Sequence, residues 1–167
     1  MKFLKAIFLI FTFLASHFCE AQKIEIDKIS FYYQSSLRIP FNNVSVEIYK
    51  REDGKSAFAF VKSEPANDNS EWKYSNINTH KEIEIENFNS LKKKISLLEK
   101  INFDTAYQEG GDGNTCKLEF SAKGHGISYE FWSPNFETDE RGLTVFVETC
   151  KEILKLVGLN DKEVLED

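Results

Sequence analysis

Three histidines and three cysteines are all that this chain of 167 residues offers for metal or thiol chemistry. None is spaced for it: His-Glu-x-x-His and Cys-x-x-Cys are both missing, so zinc and thiol-redox sites have no motif behind them. No serine lies in Gly-x-Ser-x-Gly, and Ser133 has no evident base partner. A phosphate-cradling loop would end in Gly-Lys-Ser or Gly-Lys-Thr, and that ending is absent. His125 in "KGHG" and His80 in "NTHKE" fall at a turn tip and a strand start, which offer a general base neither shielding nor an orienting partner. Positive charge is scarce as well. The 21 Lys and Arg against 27 Asp and Glu give a net charge of −6. A phosphate backbone demands concentrated positive charge, so no nucleic-acid partner is expected. The one basic run, Lys92-Lys93-Lys94, reads as the wet side of a helix. Repeats and low-complexity tracts are missing too.

A long apolar run occurs only at the start. Met1-Lys2 and Lys5 give a short basic beginning, Ala6 to Ala15 is apolar, and Cys19-Glu20-Ala21 sets small residues at −3 and −1 of a cut before Gln22. This is the pattern of a cleaved signal peptide over 1–21. The apolar run is short for a bilayer span, and no transmembrane segment is expected after cleavage. The expectation is an exported protein, periplasmic or secreted. Removal of Lys2, Lys5 and Glu20 takes the net charge from −6 to −7. Residues 22–167 suit one domain with one core. Two cysteines remain, Cys116 and Cys150. Export permits a disulfide between them, and two buried thiols are the alternative.

The remaining chain is patterned. Asp53-Gly54 between the alternating runs of 43–63 marks a hairpin. A two-residue turn there pairs Glu52 with Lys55, Ile48 with Ala59, Val46 with Val61, Tyr49 with Phe58 and Glu47 with Phe60. A second hairpin turns at Lys123-Gly124. It pairs Phe120 with Ile127, Leu118 with Tyr129 and Cys116 with Phe131 on one face, and Lys117 with Glu130 on the other. Burial and charge choose the same register. Period 3.6 predicts helices over 87–101 (Phe88, Leu91, Ile95, Leu98, Ile101) and 139–157 (Leu143, Phe146, Val147, Cys150, Ile153, Leu154, Val157), the latter stopped by Gly158. Further strands are expected at 23–33, with a bulge near Asp27-Lys28, and at 81–86. The stretch 64–76, with Trp72 and Tyr74, reads as a long loop. The predicted order is β-β-β-β-α-β-β-α. That is an α+β domain with a mostly antiparallel sheet of about six strands and two helices packed on one face.

Two features carry functional suggestions. In "YQEGGDGNTC", Glu109, Asp112 and Asn114 could supply oxygens to calcium, but the spacing of an EF-hand is absent and the glycines suit a tight turn. No cofactor is expected. In "SYEFWSPN", Trp132 ends a strand on the face away from the helices, the face that also carries Tyr49, Phe58 and Phe60. Contiguous exposed aromatics mark binding surfaces, and Trp and Tyr are favoured anchors. They can also be plain packing beneath the 64–76 loop or the N-terminal strand; packing comes first in this reading and recognition second. The leading function is a non-enzymatic binding or interaction module using this aromatic patch, with a protein or small-molecule ligand. The alternatives are a hydrolase of unrecognised type around Glu109 and Asp112, and a structural envelope component.

Overall fold

Alternation of apolar residues at period two builds most of this molecule. The computed structural model describes residues 25–35, 43–64 and 76–165. The expected signal peptide, Ile24, and Trp72 and Tyr74 of the 64–76 loop lie outside the described residues. The strands are β1 (Lys28–Ser35), β2 (Asn43–Lys50), β3 (Ser56–Glu64), β4 (Ile77–Glu84), β5 (Asn114–Ala122) and β6 (His125–Trp132). They form one antiparallel sheet of six strands in the order β4-β3-β2-β1-β5-β6. The helices are α1 (Ile85–Ile95), the four-residue α2 (Phe103–Ala106), α3 (Thr144–Val157) and α4 (Asp161–Leu165), with a 3-10 turn at Leu98–Lys100.

The chain is thus α+β, with helices packed on the sheet. Ile29, Phe31, Tyr33, Val44, Val46, Ile48, Ala57, Ala59, Val61, Cys116 and Leu118 line the inner face of the sheet. Phe88, Leu91 and Ile95 of α1 close over them. Phe146, Val147, Cys150, Ile153 and Leu154 of α3 do the same. Burial of a large aliphatic or aromatic side chain is worth roughly 1.5–3 kcal/mol, so this layer dominates the stability.

Both hairpins pair in the expected register, including Val46 with Val61, Tyr49 with Phe58, Leu118 with Tyr129 and Thr115 with Trp132. Their tips differ. Lys123 and Gly124 both take positive φ (50° and 83°), as a type I′ turn requires. At the first tip only Gly54 does (φ 68°), and Glu52 and Lys55 do not join the ladder. The ladder closes instead where Arg51 N–H donates to Ser56 at 3.0 Å, and Asp53 Oδ1 accepts from the Lys55 N–H at 2.9 Å. An Asp side chain that caps its own turn competes with the two-residue geometry.

Element limits also shift. The helix expected over 87–101 ends at Ile95 and continues as the 3-10 turn. The helix expected from 139 begins at Thr144, and β4 spans Ile77–Glu84 rather than 81–86. The change of phase near Asp27-Lys28 lies at the start of β1, so that Ile26 and Ile29 both reach the core.

Candidate functional site

The outer face of the sheet carries the polar half of each alternating strand, and three aromatics stand out there. Tyr49 and Phe60 are 37% and 51% exposed, and their rings meet edge to face at 5.9 Å. Phe58 packs beside Phe60 at 6.5 Å and stacks on His80 at 6.2 Å. The register explains the cluster: Tyr49 is opposite Phe58, Glu47 opposite Phe60, and Phe60 opposite His80. Two cations lie over the rings. The Arg51 guanidinium is 4.5 Å from the centre of Phe58, and Lys28 Nζ is 5.0 Å from that of Tyr49. Such contacts are worth about 0.5–1 kcal/mol at exposed sites and favour this pose of the rings.

Glu47 is the polar centre of this surface. One carboxylate oxygen accepts from Lys28 Nζ at 2.6 Å and from the Tyr32 hydroxyl at 3.1 Å. The other accepts from the Tyr49 hydroxyl at 3.0 Å. The Lys28 ammonium holds the Glu47 carboxyl below its ordinary range, against the burial that would raise it. Burial works against the charge on Lys28, but its hydrogen bonds to Glu47 and Tyr49 outweigh this and raise its pKa. Burial also raises the Tyr32 hydroxyl.

A cavity of about 430 Å³ opens on the same face beyond Tyr32, between Gln34, Asn43, Lys62, Thr115 and Lys117. Its lining charges balance, Lys62 and Lys117 against Glu64 and Glu130; Lys62 pairs with Glu64 at 3.0 Å, and Lys117 with Glu119 outside the lining at 3.0 Å. The lining therefore suits a neutral polar group better than an ion.

Trp132 does not join the aromatic cluster. It lies on β6, four strands from β3 in the sheet order. That separation is roughly 19 Å at the usual strand spacing. Its ring is covered by the glycine loop. A Cβ on Gly110 would fall 2.1 Å from Trp132 Cζ2, and one on Gly113 would fall 2.9 Å from the ring and 2.5 Å from Ser133 Oγ. These glycines are there because the backbone lies against the indole.

The candidate calcium ligands sit in different settings. The Tyr107 hydroxyl donates to Glu109. Asp112 is exposed. Asn114 is buried, and its Oδ1 accepts from the Cys116 thiol at 3.8 Å. Among the described residues no group of three or more His, Cys, Asp or Glu could hold a metal ion. Cys116 and Cys150 are buried thiols, and the structure holds no disulfide between them. Burial, with the neighbouring Cys116, pushes the Cys150 thiol well up, and a neutral buried thiol is a poor nucleophile.

One residue that organises this region was not singled out from the sequence. Arg141 is 5% exposed, and among the described residues its fork donates to backbone carbonyls. Nε and Nη2 donate to Ala106 at 3.1 and 2.9 Å. Nη1 donates to Ser133 and Phe136 at 2.7 and 3.2 Å, and Nη2 to Trp132 at 3.0 Å. Burial lowers its pKa. Its neighbours "TDERG" read as the start of a wet helix, which hid it. Phe103 and Tyr107, 57% and 67% exposed, were likewise passed over. With Trp132 they border a smaller cavity of about 240 Å³. No protein-family model matches the chain, and a search of curated proteins gives no significant match.

Proposed function

We propose that this chain is an exported, non-enzymatic binding module. It takes a protein or small-molecule ligand on the helix-free face of its sheet, with Tyr49, Phe58 and Phe60 as the contact residues. The observation that carries this reading is the pair of exposed rings, Phe60 and Tyr49, set edge to face on a surface that no helix among the described residues covers. Pre-set aromatic rings bind with little loss of side-chain freedom, and exposed contiguous apolar surface marks interaction sites. Trp132 is left out of the contact set because its ring faces its own loop. Export rests on the basic start, the apolar run and the small residues before Gln22.

The test is cross-linked capture from the native envelope fraction, read by mass spectrometry, with Phe60→Ser/Tyr49→Ser as the surface variant and Trp132→Phe as the comparator. One dominant partner that is lost with the double variant and kept with Trp132→Phe is the expected result. The same proteins from all three baits would defeat the reading. Phe60→Ser alone gives up two ring contacts and is expected to cost about 1 kcal/mol, so capture is compared at a temperature where unfolding curves show every bait folded.

A further inference from the structure

We infer that β6 is an edge built for pairing with a second copy of this chain. The surface is distinct from the outer-face aromatic cluster. The two edges of the sheet differ in kind. β4 carries His80, Lys81, Glu82 and Glu84, and Lys81 Nζ donates to the Leu156 carbonyl at 2.7 Å. Charged residues of this sort keep an edge from pairing with other chains. The other edge, β6, reads "HGISYEFW" and has no lysine, no proline and a single carboxylate.

The direction of its free backbone groups can be read. Ser133 N–H donates across to Asn114 on the β5 side at 2.7 Å, whereas the Trp132 carbonyl accepts from Arg141 at 3.0 Å on the other side. These directions alternate along an antiparallel strand. The N–H and C=O groups of Gly126, Ser128 and Glu130 therefore face away from β5. Among the described residues no strand lies beyond β6. At the Trp132 end the edge is flanked by the 103–108 segment, which shares a cavity with Glu130 and Phe131.

A two-fold axis through Ser128 uses those three residues and no others. Ser128 then faces Ser128 of the second copy, and Gly126 faces Glu130, in hydrogen-bonded pairs. On the helix side Ile127 faces Tyr129. Ile127 is 46% exposed, and Phe103, stacked on Tyr129 at 5.7 Å, is 57% exposed. The second copy would cover both. Charge agrees with this register. Each Glu130 lies opposite a glycine, and the two Glu130 residues are separated by roughly 14 Å along the strand, beyond the screening length at physiological salt.

Sedimentation of the full chain, as processed by the expressing cell, tests this with Ile127→Lys and Ser128→Pro. Ser128 N–H faces outward, so proline there breaks no bond to β5. The expected result is a dimer in the unchanged protein. Each variant should raise the dissociation constant about tenfold or more, with the circular dichroism unaltered. If the proline variant loses its fold, the lysine variant decides. A monomer at every concentration, a dimer indifferent to the substitutions, or an edge that takes only an added extended peptide would each overturn the inference.

Discussion

Gly110 and Trp132 show how much one missing carbon can decide. The indole sits where a β-carbon on residue 110 would be, at 2.1 Å. Gly110→Ala must therefore move the loop or the ring. It is expected to cost about 1–3 kcal/mol in urea unfolding and to shift the tryptophan emission. An unchanged midpoint would mean that the loop yields freely. Glu47 gives a pH signature. Its folded pKa is lowered, chiefly by Lys28. Its contribution is present in full above its ordinary value of 4.5 and disappears as pH falls through the lower folded value. Thermal unfolding of Glu47→Gln against the unchanged protein should show a gap at neutral pH that closes below that window. The side chains of Lys28 and Glu47 are 25% and 33% exposed, so the gap should be about 1 kcal/mol or less. A gap that widened in acid would reverse the assignment.

Between elements, the connections matter more than the strands. The chain leaves β6 through Ser133 at φ 38°, directly before Pro134. A proline already restricts the residue before it, and a left-handed serine adds of order 1 kcal/mol of strain. The Arg141 fork offsets that strain by tying Trp132, Ser133 and Phe136 to Ala106 at the end of α2. Arg141→Met removes the guanidinium from the Ala106, Trp132 and Phe136 carbonyls, while the Ser133 carbonyl keeps the Phe136 N–H at 3.0 Å. It is expected to cost about 3 kcal/mol or more by denaturant midpoint, and Arg141→Lys should recover only part, because an ammonium cannot span the same acceptors. A loss below about 1 kcal/mol would show that water replaces the guanidinium. The hairpins needed no such clamp. Alternation and opposed charges placed Lys117 against Glu130 and Leu118 against Tyr129 without further help.

At the scale of the molecule, one face of the sheet is covered by α1 and α3, and among the described residues no helix lies on the other. That asymmetry separates what stabilises the fold from what is free to bind. The sequence determined the strands, their hairpin registers, the apolar faces of α1 and α3 and the α+β arrangement, because periodicity and neighbouring pairs are local. Tyr49, Phe58 and Phe60 were legible as one group for the same reason: they belong to one hairpin. Trp132 was placed on the correct face, but how far it lies from the Tyr49 group was not legible. Its distance from β3 depends on β1 and β5 being neighbours, a pairing between segments about 85 residues apart in the chain. The roles of Gly110 and Arg141, and the states of Cys116 and Cys150, rest on contacts of the same long-range kind. Only the tertiary structure decides these, because packing brings distant residues together by shape and burial rather than by spacing along the chain.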